Sequence, residues 1–166
     1  MIVGKGLIAN SFLNDSLSDV LIFASGVSNS KEEDQSEFQR ERDLLIDTIS
    51  NNRKKKVIYF STCDFYDSRK SSKYLNHKFE MESLIKERCE NWIIFRVSQI
   101  IGSGNINNLL FSFILKVKNN TRINLFRNFE RNMITISDVR CIVMNYIKIS
   151  NREIINIANP KNIKVH

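Results

Sequence analysis

Proline is almost missing from this chain: one in 166 residues, alongside five glycines and three cysteines. Average usage is about 5% proline and about 7% glycine, so collagen-like and flexible-linker compositions are excluded and the few glycines carry positional meaning. The cysteines, Cys63, Cys89 and Cys141, are odd in number and form no CxxC pair, which argues against a disulfide framework and for a reduced, cytoplasmic setting. No apolar run approaches the ~20 residues of a membrane span. The beginning of the chain lacks a charged segment followed by a signal-type apolar stretch. The two histidines, His77 and His166, lack cysteine or carboxylate partners at ligand spacing, so no metal site is expected.

What the chain has is positive charge: 25 Lys and Arg against 18 Asp and Glu, a net +7. That suits an anionic partner, either nucleic acid or a phosphorylated small molecule, without choosing between them. The basic residues do not form the aromatic-interleaved stripe of a nucleic-acid groove. Their one run, residues 53–56, falls where a helix ends before a strand and can complement the helix dipole. A chain of this length suffices for one domain that buries about 70% of its extended surface.

Apolar periodicity divides the chain into alternating strands and helices. Residues 1–3 make a short strand, followed by Gly4, Lys5, Gly6, Leu7, Ile8 and Ala9, a GxGxxA turn into a helix-like segment. Glycines at such a turn let the backbone approach a pyrophosphate at the helix N-terminus. Residues 19–24 form a continuous apolar run, as expected of a strand covered on both faces. A polar loop leads to a helix over 34–50, with Phe38, Leu45 and Ile49 on one side. Strands are expected at 57–60, 92–97, 123–126 and 153–158, and helices around 74–85 (Phe79, Leu84 and Ile85 inward), 107–118 and from Asp138 onward. The last of these carries Val139, Ile142, Val143, Tyr146 and Ile147, and residues 127–132 read as a polar loop. This alternation predicts an α/β fold with a parallel sheet and helices on both faces. All five glycines follow expected strands, the end where open parallel sheets bind ligands.

The stretch 54–78 organises the rest. Its strand delivers Ser61 and Thr62 to the carboxyl end of the sheet, and the next helix carries Tyr74 and Lys78, four residues apart and therefore on one face. A phenol whose pKa lies near ~10 becomes a usable base only when something stabilises its anion, and a neighbouring ammonium can do so. A threonine hydroxyl can hold a substrate oxygen beside it. With fourteen lysines and four tyrosines in the chain, the Tyr-to-Lys spacing alone is a weak signal. Cys63 reads as a small buried group rather than a nucleophile. Phe111, Phe113, Phe126 and Phe129 read as core or interface rather than base-stacking platforms.

Taken together, these motifs resemble the extended short-chain dehydrogenase/reductase family, the nucleotide-sugar epimerases, dehydratases and ketoreductases. VIYFSTCDFYD resembles the family's strand that ends in its catalytic hydroxyl, and Tyr74 with Lys78 matches its YxxxK. FRVSQIIGSG, GNINNLL, RNMITISDV and NIANP resemble later family segments in the same order. The resemblance implies a Rossmann-like sheet of five to six strands and a catalytic set of Thr62, Tyr74 and Lys78. It implies NAD or NADP held by Gly4, Gly6, Leu7, Ile8, Ala24, Ser25, Gly26, Lys78 and Val97. A nucleotide sugar would be held by Ser98, Asn108 and Arg131. Tyr74 would move the hydroxyl proton, and Lys78 would hold the nicotinamide ribose while lowering the Tyr74 pKa. Arg131 would pair with the sugar diphosphate through its planar fork of donors. The helices beginning near Asp34 and carrying Tyr74 resemble those that pair in family homodimers.

The chain also departs from that pattern. Its first turn is one residue tighter than GxxGxxG, the first helix runs straight toward Asp19, and the family's second and third strands are absent. The segment from Thr62 to Tyr74 is short and the C-terminal substrate portion is reduced. Two other readings therefore stand beside the enzymatic one: a catalytically silent relative serving as a binding or assembly module, and a basic nucleic-acid-binding domain.

Overall fold

The computed structural model describes residues 1–66, 72–102, 109–122 and 130–164, with the side chains of 109–113 outside that description. In chain order the elements are β1 (Ile2–Val3), α1 (Leu7–Ser11), β2 (Val20–Phe23), α2 (Gln35–Asn51), β3 (Lys56–Thr62), α3 (Lys73–Arg88), β4 (Trp92–Val97), β5 (Gln99–Ile101) and α4 (Leu109–Lys118). Then come β6 (Glu130–Arg131), β7 (Met133–Thr135), α5 (Ile136–Ile149), β8 (Glu153–Ile157) and β9 (Ile163–Lys164). A 3₁₀ turn, Cys63–Tyr66, follows β3.

Five strands form one sheet in the order β1-β2-β3-β4-β8, and every pairing in it is parallel. β3 lies at the centre and is buried from Val57 to Thr62 because helices cover both of its faces. Ile58 and Phe60 point to one side, where they join Phe12, Ile22, Ile93, Phe95, Val139, Val143 and Ile147. Val57 and Tyr59 point to the other, packing with Leu21, Phe23, Leu45, Ile49, Met81, Leu84 and Ile85. Thus α1 and α5 line one face, and α2 and α3 the other.

That division carries a topological consequence. β1 to β2 and β2 to β3 step across the sheet in the same direction, yet α1 and α2 lie on opposite faces. The two crossovers therefore have opposite hands, although such connections share one hand in about 98% of cases. The α1 crossover is placed as if its following strand lay beyond β1. Instead the chain doubles back into β2, and β1 is left at the sheet edge. Among the described residues the strand order never reverses, so there is no internal switch point of the kind that seats a whole dinucleotide.

The helix ends follow capping chemistry. The Asp34 carboxylate accepts from the Ser36 N–H at the start of α2, the Ser72 hydroxyl from the Leu75 N–H at α3, and the Thr135 hydroxyl from the Asp138 N–H at α5. Two members of the basic run at 53–56 reach past α2 to other segments. Lys55 Nζ donates to Ser18 O at 2.9 Å, while Lys56 Nζ donates to Ile147 O and Ser150 O and so satisfies the C-terminal carbonyls of α5.

Other details differ from the sequence reading. Phe79 is exposed at 57%: the buried stripe of α3 runs through Tyr74, Leu75, His77, Lys78, Met81, Glu82, Leu84 and Ile85, and position 79 falls off it. Part of the segment read as a polar loop is β6, which pairs antiparallel with β9, so β8 is not the last strand. The expected strand at 123–126, with Gly104, Asn108, Phe126, Phe129 and His166, lies outside the described residues. Among the described residues, no helix is long and apolar enough to cross a membrane.

Candidate functional site

Three strand ends build one rim. Thr62 closes β3 and pairs in register with Val97, which closes β4. Ser98 follows immediately, its N–H donating to Ile157 O at the end of β8. Arg131 is held beyond the same rim, because the side chain of the adjacent Asn132 clamps Asn159: Nδ2 donates to Asn159 O at 2.7 Å and Oδ1 accepts from Asn159 N at 2.8 Å. Two serine hydroxyls here, Ser61 Oγ and Ser98 Oγ, are buried with no hydrogen-bond partner in the structure. A buried orphan hydroxyl costs stability unless something satisfies it.

Helix α3 brings Tyr74 to this rim, its phenol near enough to the Thr62 hydroxyl for that hydroxyl to favour the phenolate. The Thr62 oxygen accepts from the Asp64 N–H at 3.0 Å, which directs one of its lone pairs. Lys78 Nζ lies 5.8 Å from the centre of the Tyr74 ring. Thr62, Tyr74 and Lys78 are therefore together, as the spacing and the strand-end placement predict.

The electrostatics differ from expectation. Burial pushes the Tyr74 phenol above the ordinary tyrosine range, with the Asp64 and Glu41 carboxylates adding to the rise against the Thr62 hydrogen bond. The Lys78 charge does not offset this, because it is spent elsewhere. Lys78 Nζ donates to Glu41 Oε1 at 3.0 Å, to Glu41 Oε2 at 3.2 Å and to the Tyr59 hydroxyl at 3.1 Å, three acceptors for its three N–H groups. Its side chain is 3% exposed and that of Glu41 is 0% exposed.

Glu41 was not singled out by the sequence reading, although its spacing marks it. It follows Phe38 by three and precedes Leu45 by four, on the inward stripe of α2. Its carboxylate is saturated. Oε1 also accepts from the Tyr59 hydroxyl at 2.6 Å, and Oε2 accepts from the Val27 N–H at 2.6 Å and from His77 Nε2 at 3.0 Å. Facing an ionised carboxylate, Nε2 must carry the hydrogen. Burial alone would raise the Glu41 pKa, but the Lys78 charge and the His77, Tyr59 and Val27 hydrogen bonds outweigh it and hold it at about 2. His77, three residues past Tyr74 on α3, belongs to this cluster.

The glycines at the rim show what they accommodate. Gly4 has φ +132°, and a methyl there would lie 2.3 Å from Ala24 O, so only glycine lets the first turn pack against the end of β2. A methyl on Gly26 would lie 2.6 Å from Lys78 Nζ and 2.7 Å from Glu41 Oε1; the Gly26 backbone is the lid over the ion pair. Gly6, at the N-cap of α1, has open space where a side chain would project. Leu7 abuts Gly102, while Ile8 packs into the core beside Ala24, so their side chains contribute apolar surface, and their backbone N–H groups open α1.

A second buried pair stiffens the same end. Glu82, 0% exposed, receives Arg96 Nε at 2.9 Å and Nη2 at 2.7 Å. The guanidinium stacks 4.7 Å from the Phe65 ring centre. Cys63 is half-buried, and its Sγ donates to Arg96 O at 3.1 Å; burial raises its pKa, which suits packing rather than nucleophilic attack.

This fold is shared with nucleotide-sugar epimerases and dehydratases. A UDP-N-acetylglucosamine 4-epimerase from Methanobrevibacter ruminantium superposes with a TM-score of 0.66 at 16% identity, over 89% of this chain and 57% of its own. The Bordetella bronchiseptica enzyme WbmH, in complex with NAD+, gives 0.72 at 11% identity, over 88% and 54%. A dTDP-glucose 4,6-dehydratase from Bacillus anthracis, in complex with NAD, gives 0.66 at 13%, over 88% and 53%. The chain thus spans little more than half the length of these structures. No protein-family model matches the sequence, and no curated protein matches it significantly.

Proposed function

We propose that this chain is a nicotinamide-dinucleotide-dependent oxidoreductase or epimerase of shortened form, acting on a nucleotide sugar. The observation that carries the reading is the Thr62–Tyr74 hydroxyl pair at the carboxyl end of the central strand, with the Lys78 ammonium behind the tyrosine ring. The similar structures are named as nucleotide-sugar enzymes or were obtained with NAD, which supports the substrate and cofactor class.

The residues fit the nicotinamide half of such a cofactor. Ser61 and Ser98 offer partnerless buried hydroxyls at adjacent strand ends, and Gly6 leaves the first turn open. The cofactor would supply hydride exchange at a sugar carbon. In this chain Thr62 would hold the sugar hydroxyl oxygen, and Tyr74 beside it would take and return its proton. Ser98 and Arg131 would orient the nucleotide-sugar side, the guanidinium meeting the diphosphate. The outer faces of α2 and α3, joined by Arg42 Nε on Glu80 at 2.9 Å and carrying exposed Phe79, are the surfaces on which a homodimer would form.

A second reading, a catalytically silent module that binds nucleotide or assembles with other chains, is favoured by one specific observation. The tyrosine pKa is raised rather than lowered while the lysine charge is committed to Glu41. Titration with reduced dinucleotide, followed by incubation with UDP- and dTDP-sugars, separates the two. Binding with conversion supports the enzyme, binding without conversion supports the module, and absence of binding removes both cofactor-dependent forms.

A further inference from the structure

Lys78 has no donor left for a ligand. Its three N–H groups meet three buried acceptors, and the carboxylate that takes two of them is closed over by the Gly26–Val27 backbone, with Val27 N–H bonded to it at 2.6 Å. The space above is filled as well, since a single methyl on Gly26 would collide with both partners. The Lys78 N–H groups and the Glu41 oxygens are all matched, so nothing in the ion pair's bonding calls for an outside group. A saturated buried ion pair is costly to open, because each freed group must be desolvated without a partner.

We propose that Glu41 is the resident ligand of Lys78, an internal carboxylate that occupies the ammonium and keeps bound nucleotide hydroxyls from reaching it. The pair then acts as a lock between α2, α3 and the Ser25–Val27 turn. While it is closed, Tyr74 works as a neutral hydrogen-bonding phenol beside Thr62, without a free cation to favour its anion. This deepens, and rests on, the proposed nucleotide-directed site. His77, on Oε2 and stacked 4.8 Å from the Phe38 ring, and Tyr59, on Oε1, hold the carboxylate in its closed place.

The test pairs two readouts. In protein labelled with ¹⁵N-lysine, the Lys78 ammonium protons should exchange slowly enough to be seen at neutral pH. They should stay unmoved when reduced nicotinamide dinucleotide is added at saturation, and the slow signal should vanish in Glu41→Gln. In parallel, Glu41→Gln should bind reduced dinucleotide about tenfold tighter than wild type by nicotinamide fluorescence, the scale of one charge-assisted hydrogen bond released. Glu41→Asp, which keeps the charge but withdraws it by one methylene, should show the same direction if the glutamine variant does not fold. A Lys78 signal that exchanges fast in wild type, or that shifts on dinucleotide addition while both variants bind no tighter, overturns the lock. If no form binds dinucleotide, the cofactor reading falls, and the lock is judged by proton exchange alone: a slow wild-type signal lost on substitution supports it, and a fast one refutes it.

Discussion

Replacing Glu41 by glutamine removes one charge from a cluster that solvent does not reach. The amide oxygen can still accept from Val27 or Tyr59, but its NH₂ group faces donors on Lys78 and His77, and the ammonium, 3% exposed, loses its counter-charge at 3.0 Å. Leaving one member of a buried pair unmatched costs about 3–5 kcal/mol. An independent route gives a similar figure: a shift from 4.5 to about 2 corresponds to about 3 kcal/mol of linkage. Urea unfolding at pH 7 should therefore show the midpoint lowered by roughly 1.5 M for a slope of about 2 kcal/mol per M. The pH dependence fixes the sign. The folded pKa lies below the unfolded one, so the unfolded chain binds the extra proton in between. The carboxylate's contribution is complete above pH 4.5 and is lost as the pH falls through about 2. The gap between wild type and Glu41→Gln should close over that window. A gap below about 1 kcal/mol at pH 7, or one that stays constant down to pH 2, would refute the argument that Glu41 is ionised and paired in the fold.

Three further outcomes follow from the structure. Gly4→Ala should lose roughly 2–4 kcal/mol in thermal or urea unfolding, since alanine would have to adopt φ +132° with its methyl against Ala24 O; a fully stable variant would mean that the first turn is not packed as described. Arg96→Met should cost about 3–5 kcal/mol by leaving the Glu82 carboxylate buried with only Lys86 at 3.9 Å, and the double variant with Glu82→Leu should recover most of it, which a double-mutant cycle measures. Arg131→Ala should weaken nucleotide-sugar binding about tenfold or more in calorimetry while leaving dinucleotide affinity unchanged. Equal sugar affinity would remove Arg131 from the substrate side.

The layered fold was legible because its signals are local. The apolar runs at β2, β3 and β4 are too continuous for one-sided strands, and α2 and α5 show the spacing of a single buried face. The convergence of Thr62 with Tyr74 was also legible, because a strand end followed by a short loop and a helix leaves few places for the tyrosine to go. The electrostatic state of the site was not. Whether Lys78 faces a ligand or a carboxylate depends on a helix 37 residues earlier in the chain, and a glutamate on an apolar stripe looks like an interruption until its partner is seen. The phenol of Tyr59 in the central strand was the second clue, since buried hydroxyls need acceptors. Lys56 shows the same limit: its proximity in sequence to α2 predicted the wrong helix, because the sheet brings the end of α5 within reach of its ammonium.

Among the described residues, no strand lies beyond β1. With β1 at the sheet edge, the adenine end of a dinucleotide would lie over solvent rather than over a strand, so affinity must come from the nicotinamide half and the glycine turn. Such a site would discriminate weakly at the adenosine ribose.

The most direct measurement is conversion of a nucleotide sugar, followed by NMR in the presence of nicotinamide dinucleotide, for wild type and for Tyr74→Phe. Wild type should convert at least one UDP- or dTDP-sugar, and Tyr74→Phe should lose that conversion by about 10²-fold or more while binding dinucleotide as before. Conversion that survives loss of the Tyr74 hydroxyl, or binding of both ligands with no conversion by wild type, would contradict the catalytic role of the Thr62–Tyr74 pair.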